Sequence, residues 1–179
     1  MSNVLIGIIG VILFIGLALA GALFLGPRFQ EATVNSKTAA VEQSLSQVVH
    51  AASLYRMQEG RDLLASNYST NVQTLRDAGY LKTTVASPLN GSPIFTVDAS
   101  GGGAVTPIHH VYLALGPSDD KVARSICMQI ERQAGSPDPE AAMEPVTTYA
   151  GWGNRIGARK GPGCMNYTLG AGYSAYMPV

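Results

Sequence analysis

The stretch VLIGIIGVILFIGLALAGALFL, Val4 to Leu25, decides how this chain is read. Its 22 residues carry no polar side chain, and no charged one occurs before Arg28. At about 1.5 Å per residue they make a helix of roughly 33 Å, enough to cross a hydrocarbon layer of about 30 Å. Only Met1, Ser2 and Asn3 precede the run, and none is basic. A cleavable secretory signal has a basic start and a shorter apolar core. This start therefore reads either as a true N-terminal anchor or as a mature end whose charged leader has been removed.

Gly26-Pro27 follows, and proline removes a backbone donor and disfavours helix before it. A kink or melted turn is expected there. Beyond it Val34, Thr38, Val41, Leu45, Val48, Ala52 and Tyr55 recur at a 4-3-4-3 spacing. That is one mainly apolar stripe on a helix running from Arg28 to Glu59, with Gly60 as its stop. The stripe needs a partner, which the rest of the chain is best placed to supply. Two regions result: an apolar helix over 1–27 and a globular head over 28–179.

The head reads as mixed. A short helix is predicted over Asn71–Ala78, ended by Gly79. Strands are predicted at Ile94–Val97, His110–Leu115, Val146–Tyr149, Cys164–Leu169 and Tyr173–Met177, with turns at Pro88–Pro93, Ser100–Gly103 and Gly170–Gly172. Ser118 is placed to cap a helix from Asp119 to Gln133, whose core face carries Ile126 and Ile130. The fold class is α+β, with an antiparallel sheet of about 4–5 strands packed on the long helix.

The chain holds 12 basic and 12 acidic residues with no basic stripe, so nucleic-acid binding is not expected. Cys127 and Cys164 lack zinc or redox-motif spacing. With a membrane-targeted start they read as one disulfide enclosing 36 residues, or as two buried thiols.

Taken together this layout resembles the type IV pilins, closest to the type IVb group of toxin-coregulated and bundle-forming pilins. The resemblance rests on the apolar start, the Gly26-Pro27 break and the amphipathic helix. It rests also on Ser87-Pro88-Leu89-Asn90-Gly91, similar to the turn before the sheet in that group. Its most specific part is Val111–Leu115 leading through Asp119-Asp120-Lys121 to Cys127, with Cys164 near the end. The resemblance implies that Cys127 and Cys164 pair, and that Met1 is the site of N-terminal processing and methylation. It also implies a subunit that waits in the bacterial inner membrane and then joins an extracellular filament. The implied partners are further copies of itself, a prepilin peptidase, an assembly ATPase with its platform protein, and a secretin. One departure stands out. Leu5 occupies the position where pilins usually carry a glutamate, as in certain minor subunits. Small residues offer close helix packing instead, Gly16 with Ala20 and Ala18 with Ala22 and Gly26.

Enzymatic chemistry finds little footing. His109-His110 would point to opposite faces of a strand, and His50 sits on the flank of the amphipathic helix. No nucleophile elbow, zincin or P-loop pattern occurs. Gly151–Gly157 has the wrong spacing for a dinucleotide fingerprint and reads as an exposed loop. Trp152, Arg155, Arg159 and Lys160 there form a candidate surface contact. No cofactor, metal or catalytic residue is expected. The competing readings are a minor pilin or secretion pseudopilin and, in another class, a single-pass anchored periplasmic binding protein or enzyme.

Overall fold

The computed structural model describes residues 2–63, 70–97, 110–157, 161–167 and 172–179. Helix α1 runs from Ser2 to Glu59. After it come α2 (Asn71–Asp77), β1 (Ile94–Val97), β2 (His110–Gly116) and α3 (Lys121–Gln133). A 3-10 turn (Ala141–Met143), β3 (Pro145–Val146), α4 (Tyr149–Gly157), β4 (Gly163–Tyr167) and β5 (Gly172–Pro178) complete the order. The five strands lie in one sheet in the order β1-β2-β5-β4-β3.

The amphipathic stripe of α1 is what the head closes on. Thr38, Val41, Leu45, Val48, Ala52 and Tyr55 are all buried, and Val34 packs at the edge. They meet Ile126, Cys127 and Ile130 of α3, and Val111, Leu113, Leu115, Cys164 and Ala175 from one face of the sheet. Strand alternation explains the choice: Leu113 opposes Ile94 and Ala175, so all three point inward together. The residues between them form a row on the other face, Phe95–Tyr112–Tyr176–Gly163 across four strands. A Cβ at Gly163 would stand 2.5 Å from the Tyr176 hydroxyl, so only glycine lets that ring lie across β4. A second small core forms on this side from Val146, Ile156, Met165 and Tyr176.

Several expectations change. The sheet is mixed, because β3 pairs in parallel with β4. The strand expected at Val146–Tyr149 ends at Val146, and Tyr149 already begins α4. The Gly151–Gly157 stretch is helix, not exposed loop. Thr148 Oγ1 accepts the Gly151 amide at 3.0 Å, and Ile156 is fully buried. A hydroxyl cap and one apolar anchor outweigh the low helix propensity of the glycines. Ser118 does not cap α3. The cap is Asp120, whose carboxylate accepts from Val122 N at 2.7 Å and Ala123 N at 3.2 Å. A charge suits that helix end better than a hydroxyl, and Ser118 instead donates to Asn166 Oδ1. Gly60 and Gly79 end α1 and α2 with positive φ, as expected. The turn at Ser100–Gly103, His109 and Gly170-Ala171 lie outside the described residues; His110 is buried.

Candidate assembly surface

The first half of α1 stands clear of the head. Phe14, Leu17 and Leu23 are each more than 70 % exposed, and every large apolar residue from Ile6 to Leu23 is close to half exposed or more. By length and composition this helix can cross a membrane. Left in water it would present a contiguous apolar surface far beyond what a soluble monomer carries.

Among the described residues, four of the small residues expected to pack in a filament have no partner within the chain's own fold. Gly16, Ala18, Ala20 and Ala22 are all exposed on α1, and none contributes to the core of the head. Gly7, Gly10, Gly16 and Gly21 have nothing within 4 Å of a would-be Cβ, so a second helix has room to come close at each. At about 100° per residue, Gly16 and Ala20 lie on one side, and Ala18 and Ala22 on a side about 200° away. The small residues thus offer two separate sides. The surroundings of Gly26, the last of the set, lie outside what the structure describes.

The break expected at Gly26-Pro27 does not interrupt the helix, which is continuous through both residues. A proline ring fixes φ at a helical value, so its penalty is one lost donor and local crowding, about 3 kcal/mol. The long helix on either side propagates through it cooperatively. Met1, whose processing the resemblance implies, lies outside the described residues, as do Arg159 and Lys160.

Further up α1, the side facing away from the head has a distinctive composition. Phe29, Ala32, Ser36, Ala39, Gln43, Gln47, His50, Leu54 and Met57 are exposed and spaced three or four apart, so they form one stripe. It contains no Lys, Arg, Asp or Glu. The charged residues Arg28, Glu31, Lys37, Glu42, Arg56 and Glu59 fall on its flanks or beside the core. Next to the stripe an open groove of about 480 Å³ is lined by Glu42, Gln133, Pro162 and Met177. Burial pushes the Glu42 carboxyl above its usual range.

Within the core of the head, Cys127 and Cys164 are joined, with Cα atoms 5.3 Å apart, and both are fully buried. Of the proposed surface contact, Trp152 lies on α4. Arg155 is half-buried on α4. Its guanidinium donates to the carbonyls of Ala142 at 3.0 Å, Glu144 at 3.2 Å and Ala141 at 3.5 Å, which ties α4 to the 3-10 turn. The five donors of a guanidinium suit such a cluster of carbonyls better than one distant anion. A feature that sequence reading missed is Glu131, fully buried, which accepts the Cys164 amide at 2.7 Å. Its signal was present: it falls four residues after Cys127, on the core face of α3.

Among the described residues no group of three or more His, Cys, Asp or Glu side chains is arranged to hold a metal. Comparison with protein-family models, curated proteins and solved structures finds no match. What the geometry carries is a pilin-like architecture: a long N-terminal helix, apolar and exposed at its start, packed further on against a five-stranded sheet, with a disulfide closing the C-terminal region.

Proposed function

We propose that this chain is a structural subunit of a type IV pilus, most similar to the type IVb group. It polymerises through α1 into an extracellular filament that serves adhesion, aggregation, motility or mating contact. In the polymer, Gly16 with Ala20 and Ala18 with Ala22 are where neighbouring helices come closest. Before assembly the apolar half sits in the inner membrane and the head in the periplasm. A prepilin peptidase, an assembly ATPase with its platform protein and a secretin act on it. It is not an enzyme and uses no cofactor.

One observation carries this reading: the uncharged stripe of α1 from Phe29 to Met57. A helix that only anchors a head needs apolar surface only inside the bilayer. Its water-facing side above the membrane is free to carry charge, and surface helices normally do. Here charge is excluded over about 42 Å more at helical rise. Interfaces between proteins lose charge at their centres in the same way. The stripe continues the apolar half, which favours one long helix-to-helix contact over a simple anchor.

The test places a charge in the stripe. Leu54→Asp and Gln47→Glu are expected to abolish or strongly reduce surface fibres while leaving the melting of the head unchanged. Val122→Glu, exposed at the start of α3, is the control and should leave fibres intact. Fibres formed equally well by all three would remove the support. A second reading within the family, a minor pilin or secretion pseudopilin, is favoured by Leu5 alone. Subunit abundance in sheared fibres separates the two, since a major subunit dominates them.

A further inference from the structure

Glu131 poses a physical question. A carboxylate with no exposed surface occupies a core position of α3, between Ile130 and the helix end. Burying a charge there is costly unless it does something an apolar residue cannot. What it does is visible at β4. Among the described residues, strand β3 pairs with Asn166 and Tyr167 and stops short of Cys164. The Cys164 amide goes instead to Glu131 Oε1, at 2.7 Å. Glu131 lies one helical turn beyond Cys127, so the same face of α3 presents the thiol and the acceptor. Register matters here, because a one-residue slip of β4 would turn Cys164 to the opposite face of the sheet.

We infer that Glu131 is the positioning residue for the Cys127–Cys164 disulfide. Its carboxylate captures the Cys164 amide in the reduced chain and holds β4 in the register that brings the two sulfurs together. Closure then needs a small-molecule or protein disulfide as oxidant. One cysteine thiolate attacks the oxidant and releases one of its thiols. The second cysteine thiolate attacks the mixed disulfide and releases the other. The two cysteines lose two protons and two electrons, and the oxidant is reduced to two thiols.

The full-length reduced protein in detergent micelles is equilibrated with oxidised and reduced glutathione. Alkylation and mass spectrometry then give the fractions of dithiol, mixed disulfide and closed bond, hence the effective concentration of one thiol at the other. Any destabilising change lowers this value somewhat, so Leu75→Ala, a core truncation on α2, sets the baseline. Glu131→Leu is expected to fall at least about tenfold below wild type and clearly below Leu75→Ala, since it keeps the side-chain volume but leaves the buried Cys164 amide without its carboxylate acceptor. Glu131→Gln keeps an oxygen acceptor and should stay within about threefold of wild type. Equal effective concentrations for Glu131→Leu and Leu75→Ala would overturn the inference. Should Glu131→Leu fail to fold, hydrogen exchange at the Cys164 amide of the reduced wild type decides instead. Strong protection is the expected result, and exchange at the rate of an unfolded chain would contradict it.

Discussion

The apolar residues of the two halves of α1 are of the same kinds and meet opposite fates. Leu17 is 73 % exposed, whereas Leu45, on the same continuous helix, is 1 % exposed. The small residues divide in the same way: Ala20 and Ala22 are exposed, while Ala51 and Ala52 are buried. Secondary structure does not distinguish the halves: both belong to one continuous helix, although beyond Asn3 polar and charged side chains occur only in the upper one. What differs is where the partner comes from. The upper half finds α3 and the sheet within its own chain. The lower half meets nothing within its own chain among the described residues. Apolar surface is stabilised by burial from any source, so the lower half points to a partner outside the chain: first lipid, then, on our reading, further copies.

That contrast can be broken or sharpened by measurement, and the largest effect concerns the head alone. Cys127→Ser frees a loop whose closure stabilises the fold by about 4 kcal/mol in the chain-entropy picture. Thermal melts followed by circular dichroism in detergent should show the head destabilised by roughly that amount, while helical signal from the apolar half persists. Loss of both together would mean that the halves are not separable. Next comes the direct pair. Leu45→Ala is expected to cost the head about 3 kcal/mol. Leu17→Ala should change its melting by less than about 0.5 kcal/mol. Similar shifts from the two would erase the distinction. Asp120→Ala removes the cap of α3 and should cost about 1 kcal/mol. Because α3 packs on the upper half of α1 only, this loss too should appear in the head.

The smallest effect lies in the upper half of α1, beside the core of the head. Burial raises the Glu42 carboxyl, so the folded state holds that proton more tightly than the unfolded state. Below the ordinary carboxylate range both states are protonated and the residue costs nothing. Above the raised value both are ionised and burial costs stability. Glu42→Gln should therefore stabilise the head slightly at neutral pH, by about 0.3 kcal/mol after solvent screening. The gain should vanish below about pH 4. A gain that persists in acid would assign it to packing rather than charge.

The parts legible in the sequence were those set by long periodicity. The stripe from Thr38 to Tyr55 could be read because spacing over five turns admits one face only. Strands β1, β2, β4 and β5 were legible from apolar runs bounded by turn residues. The α4 segment was not, because three glycines hid a helix that Thr148 caps and Ile156 anchors. The cap is local, but the burial of Ile156 is a tertiary consequence of Met165 and Tyr176 lying against it. The bonds of Arg155 were not legible either, because a cation in a glycine-rich stretch gives no hint of three carbonyls folding back onto it. The assembly surface was half legible. The apolar run is plain, but the uncharged stripe above it emerges only once burial shows which positions face away from the head.

Electron microscopy of shear-released surface fibres from cells producing the chain, with mass spectrometry of the fibre protein, tests the central claim most directly. The expected result is thin filaments in which this chain is the subunit, with peptides from its apolar half retained in the polymer. Cells without fibres, together with a detergent extract containing only monodisperse monomer, would contradict it.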